Sequence, residues 1–411
     1  MEKIRVGILG AGRGAHMGLD LIQCGAEVVA VCEIFPDGIA NARKLLGEDI
    51  PIYSDFDAML DHGVDAVLLT NYFHEHAQYA IRALERNIHV LSECTANSTM
   101  AEGVALVRAA EKSKAIYMLA ENYPFMRFNR EMKRVYEGGS LGKILFGEGE
   151  YNHPVSPADY GFYRSTQPFD KHWRCYTPAT YYITHSLAPL MYITGVFPKR
   201  VTAMPIFRPW PDEVPTGSRT GDNTAIITTL NNDDSVFRIT GSARYGGHEN
   251  SYRIACTKGQ MENVRGMGEK VMLRYNAWDV PEGMEENNLY EPEEKLEMAK
   301  NAGHGGGDMY AVKEFLDCIR EGRRPMFDVY FATCISSVAI LGFRSLLGLG
   351  VPYDIPDFRY ENDRKKYEND WASPYYYSDG REPNMPCCSR PDYVPSEARL
   401  ARYYGLFADE K

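Results

Sequence analysis

Ile4-Arg5-Val6-Gly7-Ile8-Leu9-Gly10-Ala11-Gly12-Arg13-Gly14-Ala15 is a short apolar run that passes directly into glycines, the pattern of a strand entering a phosphate-binding turn. Gly10 can take the tight turn after the strand, Gly12 leaves room for a pyrophosphate to reach the backbone, and Ala15 is small enough for a helix to pack closely on the strand. Arg13 and Gly14 complete the turn. A helix opening near Gly14 would aim its unpaired N–H groups and the positive end of its dipole at the two phosphates of a dinucleotide. Further along, the apolar run Glu27 to Cys32 ends in Glu33, about 20 residues after the turn, where an acid accepts hydrogen bonds from the adenosine ribose. A carboxylate there repels a 2′-phosphate, and Ile34-Phe35-Pro36 supplies no cation for one. The expected cofactor is therefore NAD, in preference to NADP.

Working outward, strands are predicted at 4–9, 27–32, 51–53, 65–70, 88–92 and 115–120, with helical periodicity between them, clearest at Glu75–Glu85 and from Met100 to Ser113. Six strands alternating with helices make an α/β dinucleotide-binding domain over 1–123, with strand order 3-2-1-4-5-6. After Tyr123-Pro124 the rhythm changes. A helix is predicted over Asn129–Tyr136, then strands at 144–152, 200–207, 224–230, 235–243, 250–256 and 270–275, and helices at about 308–321 and 329–347. This predicts a second, α+β domain over 124–355 with a largely antiparallel open sheet. The remainder, 356–411, is rich in Tyr, Pro and charge and cannot make its own core. It is expected to wrap a neighbouring surface, on this subunit or another.

Composition narrows the function. A length of 411 residues exceeds one core. A net charge of -11 argues against nucleic acid and anionic membranes as partners and leaves a small molecule as the expected one. Nine cysteines without zinc-type spacing read as reduced thiols of a cytoplasmic protein, and no metal site is expected. The most apolar late stretch, Cys334 to Val351, carries Arg344, so no membrane span is expected.

From Ile4 to about Pro356 the sequence resembles the glucose-fructose oxidoreductase and inositol dehydrogenase family, Gfo/Idh/MocA. The resemblance rests on the glycine-rich turn, Thr70-Asn71 through His76, Ala83-Leu84, His89 to Glu93, and Glu321-Gly322-Arg323-Arg324-Pro325. It implies NAD(P) in the first domain and a sugar or polyol against the second domain's sheet. Thr70, Asn71, His76, Glu93 and Asn122 then join the turn and Glu33 as cofactor residues, Glu93 beside the nicotinamide ribose. Two departures matter. The family's Glu-Lys-Pro is here Glu93-Cys94-Thr95, and the aspartate expected four residues before His185 is Tyr181. Cys94 reads as a packing residue.

Similar substitutions mark one branch, the NAD-dependent α-N-acetylgalactosaminidases and related redox glycosidases. Trp173-Arg174, Tyr182-Ile183-Thr184-His185, Glu121-Asn122 and His304-Gly305-Gly306-Gly307-Asp308 resemble that branch. The resemblance implies redox-neutral glycoside cleavage, in which a retained NAD transiently oxidises C3 so that an ordinary base can remove the C2 proton. His185, Tyr182, Tyr181 and Tyr123 are the expected proton-handling residues. Trp173, Arg174, Thr184 and His304 are the expected substrate contacts. An ordinary NAD-dependent sugar dehydrogenase, and a sugar-binding protein without catalysis, are the competing readings. A homo-oligomer, dimer or tetramer, is expected in each case.

Overall fold

The computed structural model describes residues 2–154, 171–241, 246–300 and 302–406. The first layer alternates β1 (Arg5–Leu9), α1 (Ala11–Gln23), β2 (Glu27–Cys32), α2 (Pro36–Leu46), β3 (Ile52–Tyr53), α3 (Phe56–Leu60), β4 (Ala66–Leu69), α4 (His76–Glu85), β5 (His89–Ser92), α5 (Met100–Lys112) and β6 (Tyr117–Leu119). The sheet order is β3-β2-β1-β4-β5-β6 and every pairing is parallel. Helices on both faces bury the central strands completely, which is why β4 is the unbroken apolar run Ala66-Val67-Leu68-Leu69. One expectation shifts: α1 opens at Ala11, not near Gly14, so Gly12 and Gly14 lie within its first turns.

The second layer contains α6 (Arg127–Glu137), β7 (Ile144–Asn152), α7 (Trp173–Tyr176), α8 (Thr184–Thr194), β8 (Pro198–Phe207), β9 (Asp222–Asn231), β10 (Val236–Thr240), β11 (Glu249–Cys256), β12 (Gly259–Asn263), β13 (Val271–Tyr275) and β14 (Asn287–Tyr290). With the later β15 (Tyr353–Asp354) they form a nine-stranded sheet, β14-β13-β12-β11-β7-β10-β9-β8-β15. All its pairings are antiparallel except β7 with β10. The strand expected at 235–243 ends at Thr240, and 242–243 lie outside the described residues. On the far face of this sheet Arg238 and Arg253 both pair with Glu148, and Arg265 pairs with Glu150.

Two long helices follow, α9 (Gly307–Glu321) and α10 (Val329–Leu347). Sequence order assigns them to the second domain, but α9 packs on α1 and α10 on α5, so they tie the two layers together. The α10 helix is long and apolar enough to cross a membrane, but 89% of its apolar window is buried inside the molecule. Its Arg344 makes a double hydrogen bond to Asp370 (2.6 and 2.7 Å).

The tail settles on its own chain. Its α11 (Glu361–Tyr367) lies along α5, where Arg108 pairs with Glu361 and Glu368, both at 2.7 Å. Downstream, Tyr377 bonds Ser98 (2.6 Å), the Ser378 N–H donates to Glu75 (2.6 Å), and the Tyr376 carbonyl meets His74 Nε2 at 2.8 Å. Finally α12 (Glu397–Gly405) buries Arg399, which donates to the Ser218 carbonyl at 2.6 Å. None of the nine cysteines is in a disulfide.

Candidate active site

The site begins with two glycines on β7. A Cβ on Gly149 would lie 2.0 Å from the Ser186 carbonyl oxygen, and one on Gly147 would strike Phe237 at 2.7 Å. Only bare backbone lets the first turn of α8 rest directly on the strand, and this brings His185 against Tyr151. Within α8, Pro189 has no N–H to give the carbonyl four residues back, that of His185. The Tyr252 hydroxyl donates to that carbonyl instead, at 2.5 Å. The helix start is thereby fixed to β11.

His185 is buried, and its Nδ1 lies 2.7 Å from Oε1 of Glu121, a carboxylate with no exposed surface. Glu121 stands just past β6, in the seam between the layers, and also accepts from the Tyr123 N–H at 3.3 Å. Three tyrosines surround the imidazole. Tyr123 stacks on it at 4.0 Å and 23°, Tyr151 meets it edge-on at 4.8 Å, and Tyr182 edge-on at 5.3 Å. Burial pushes all three hydroxyls above the usual phenol range, helped by Glu121 at Tyr123 and by Tyr123 at Tyr151. They are protonated donors. A carboxylate on Nδ1 fixes the tautomer and leaves Nε2 as the accepting nitrogen. Cys94, read as packing, joins this group: its sulfur and the nearest donor atoms of Glu121 and His185 lie within 4.8 Å of one another.

The turn fits a dinucleotide. Gly10 has φ +88°, and a Cβ there would meet the Thr70 carbonyl at 2.8 Å. A Cβ on Gly12 would meet nothing within 4 Å, so that side is open for a phosphate to approach. Close packing falls on Gly14, where a Cβ would strike Thr70 and Ile8 at 2.5 and 2.6 Å, more than on the buried Ala15. Thr70 donates to the carbonyls of Leu9 and Gly10. Glu33 is pinned at the end of β2 by the N–H groups of Ala11, Ile34 and Phe35 at 2.8–3.0 Å. Both ends of the Asn71 amide are buried without a partner, as is Oδ1 of Asn122. Orphaned polar atoms of this kind await a ligand. His76 Nδ1 meets the Thr95 carbonyl at 3.0 Å and its Nε2 is unpartnered.

Comparison with known proteins agrees with this geometry. Residues 4–121 match the Gfo/Idh/MocA oxidoreductase family with an NAD-binding Rossmann fold, and residues 220–364 match the C-terminal domain of glycosyl hydrolase 109. The chain joins a Gfo/Idh/MocA NAD-binding domain to a glycosyl hydrolase 109 C-terminal domain. It is 26% identical over 394 residues to a glycosyl hydrolase family 109 protein of Saccharopolyspora erythraea, covering 87% of this chain and 83% of that one. It is 21% identical over 404 residues to glycosyl hydrolase family 109 protein 1 of Bacteroides fragilis, covering 87% and 86%. A levoglucosan dehydrogenase solved with NADH and L-sorbose shares the fold at TM-score 0.72 and 19% identity, covering 87% of this chain and all of that one. So does a myo-inositol 2-dehydrogenase from Lactobacillus plantarum, at TM-score 0.66 and 17% identity, covering 86% of this chain and all of that one.

In this glycosyl hydrolase 109 relative the expected residues divide. His185, Tyr182 and Tyr123 come together. Tyr181 does not: it is buried on the opposite side, edge-on to Phe343 and Tyr375 at 6.0 and 5.9 Å. Its ring therefore packs away from His185, unlike those of Tyr123, Tyr151 and Tyr182. Trp173, expected against substrate, stacks on Phe73 at 4.9 Å, with the Arg174 guanidinium over its ring at 4.3 Å. Phe73 also stacks on Tyr182 (5.5 Å), so the three rings close the seam beside the site. Thr184 is buried at the start of α8, next to the Cys94 thiol.

His304 is engaged with Asp308, a residue sequence reading left without a role. Asp308 takes His304 Nδ1 at 2.8 Å, Arg13 at 2.6 and 3.1 Å, and the Asn122 amide at 2.7 Å. Arg13 also donates to Glu93 at 2.8 Å. Burial alone would raise the Asp308 carboxyl, but His304 and Arg13 hold it well below the usual carboxylate range. The network spans from the turn to the start of α9. Glu121, Tyr151 and Tyr252 were also missed as site residues. The Glu121-Asn122 motif in the resemblance pointed to one of them, without a role for the carboxylate.

Proposed function

We propose that this protein cleaves a glycoside without net redox change, with NAD retained in the first domain. The reading is carried by one observation: a buried Glu121–His185 pair, ringed by three protonated tyrosines, at the seam beside the dinucleotide turn. Gly12, Glu33, Asn71, Glu93 and Asn122 would hold NAD, which would supply reversible oxidation of a sugar carbinol and so acidify the neighbouring C–H. Glu121 holds the Nδ1 proton, and His185 Nε2 takes the C2 proton and returns it after water has added at C1, while the C3 hydroxyl proton passes to solvent on oxidation and comes back on reduction. Tyr151 or Tyr182 donates its hydroxyl proton to the departing glycosidic oxygen, and water later restores it. No pair of flanking carboxylates is needed for this route, unlike ordinary glycoside hydrolysis. The Phe73, Trp173 and Tyr182 stack excludes water on one side, and Arg174 at its rim would orient the sugar.

The test is incubation of the cofactor-loaded protein with a panel of aryl glycosides and free sugars, recording released aglycone and NADH together. Aglycone without accumulating NADH is expected. NADH rising one for one with substrate would make the protein an ordinary sugar dehydrogenase, as several fold neighbours are named.

A further inference from the structure

The group at the seam holds more donors than the proton-handling pair needs. Cys94 follows Glu93 at the end of β5, Glu121 lies past β6, and His185 opens α8, so three separate elements converge on one buried point. The nearest donor atoms of the three side chains lie within 4.8 Å of one another. Glu121 Oε2 is buried and has no hydrogen-bond partner. The Cys94 sulfur has a long contact, 3.7 Å, to Glu93 Oε2 and lies beside the Thr184 hydroxyl.

Charge points the same way. Among the described residues His185 is the one ion-pair partner of Glu121, and no lysine or arginine reaches that carboxylate. Burial, Glu93 and Glu121, in that order, push the Cys94 thiol well above its usual range. Glu93 is already paired with Arg13, so Glu121 is the carboxylate that would favour a cation beside the sulfur. A soft thiolate, an imidazole and a carboxylate are a donor set that suits Zn²⁺ over Mg²⁺ or Ca²⁺.

We propose that Cys94, Glu121 and His185 form a three-ligand site for a thiophilic divalent cation, with Zn²⁺ as its natural probe. Three protein ligands leave a fourth position open to water or a substrate oxygen, as in mononuclear zinc sites. With metal–ligand lengths of about 2.0–2.3 Å, tetrahedral donors stand roughly 3.5 Å apart. The longest separation here must therefore shorten by about 1 Å when the ion binds. On binding, Cys94 releases its thiol proton to solvent as the sulfur–metal bond forms, and no redox change is involved. Because the ion takes Glu121 and His185 as ligands, its occupancy would withdraw both from proton handling. This consequence rests on the proposed reaction, but the binding itself does not.

The test is titration of the full-length, NAD-loaded protein with Co²⁺ as a spectroscopic stand-in for Zn²⁺. The expected result is one Co²⁺ per chain, with tetrahedral visible bands and a thiolate-to-metal band in the near ultraviolet, all removed by Zn²⁺. Cys94→Ala should lose the thiolate band, whereas Cys318→Ala should keep it. His185→Gln should weaken binding by more than about tenfold, with retention of NAD on a desalting column showing that each variant is folded. No saturable binding in a large excess of Co²⁺, or a thiolate band that survives Cys94→Ala, would overturn the proposal. Neither readout requires glycoside turnover, so the site and the reaction fail independently.

Discussion

With its Nδ1 proton held by Glu121 at 2.7 Å, His185 can receive a second proton only at Nε2, and the two residues work as one unit. Glutamine at 121 would offer an amide N–H to Nδ1 and reverse the tautomer, leaving the wrong nitrogen protonated. Glu121→Gln and His185→Ala are each expected to lower the turnover rate by about 10²–10⁴-fold. The double variant should cost little more than either alone, because the residues share one task. NAD retention should be unchanged, since Glu33 and the glycine turn are untouched. Steady-state kinetics with desalting-column retention of cofactor check this, and fully additive losses would separate the two residues. The partnership was not legible in the sequence, because it spans 64 positions and no local pattern links them. Tyr182 and Tyr181 show the complementary difficulty. Adjacent residues face different ways, and only the packing of Tyr181 against Phe343 decides which one serves the site.

At the scale of elements, the first domain was readable because buried parallel strands are unbroken apolar runs with glycine punctuation. The second was less so. Strand β12 escaped because its buried positions alternate as Gly259, Met261 and Asn263, of which one is a large apolar residue, and β14 and β15 because Asn287–Tyr290 and Tyr353–Asp354 are short and lie at the two edges of the sheet. The tail's composition did announce that it must borrow a core, and it borrows that of its own chain. This docking has a pH signature. Burial lowers the His74 pKa from 6.5 to about 3, against the raising effect of the Tyr376 carbonyl, with His76 and Arg381 lowering it further and Asp379 opposing them. His172 moves likewise to about 3, through burial first and then Arg174 and His74. Below pH 6.5 the unfolded chain binds protons that the folded one refuses. Stability should therefore fall as pH drops from 6.5 toward 3, by about 1.4 kcal/mol per pH unit for each such histidine. His74→Asn should remove about one proton from that slope in denaturant titrations across the range. An unchanged slope would contradict the buried neutral state of His74.

At the scale of the molecule, the seam between two sheets is where every functional argument converges. Arg13, Asp308, Asn122 and His304 bridge it on the cofactor side, and Phe73, Trp173 and Tyr182 seal it on the other. The far face of the nine-stranded sheet carries its Arg238, Arg253 and Arg265 pairs in the open. An uncovered sheet face and free edges favour pairing with a second copy. Light scattering at micromolar concentration should report a dimer or tetramer, and a monomer would contradict that expectation. The proposed reaction turns on the path of one proton. Turnover of a cleaved glycoside in deuterated water tests it most directly, because a C2 proton that leaves to His185 and returns through it must exchange with solvent. Product carrying deuterium at C2 with no stoichiometric NADH is expected, whereas product without deuterium at C2, accompanied by NADH equal to substrate consumed, would overturn the proposed route.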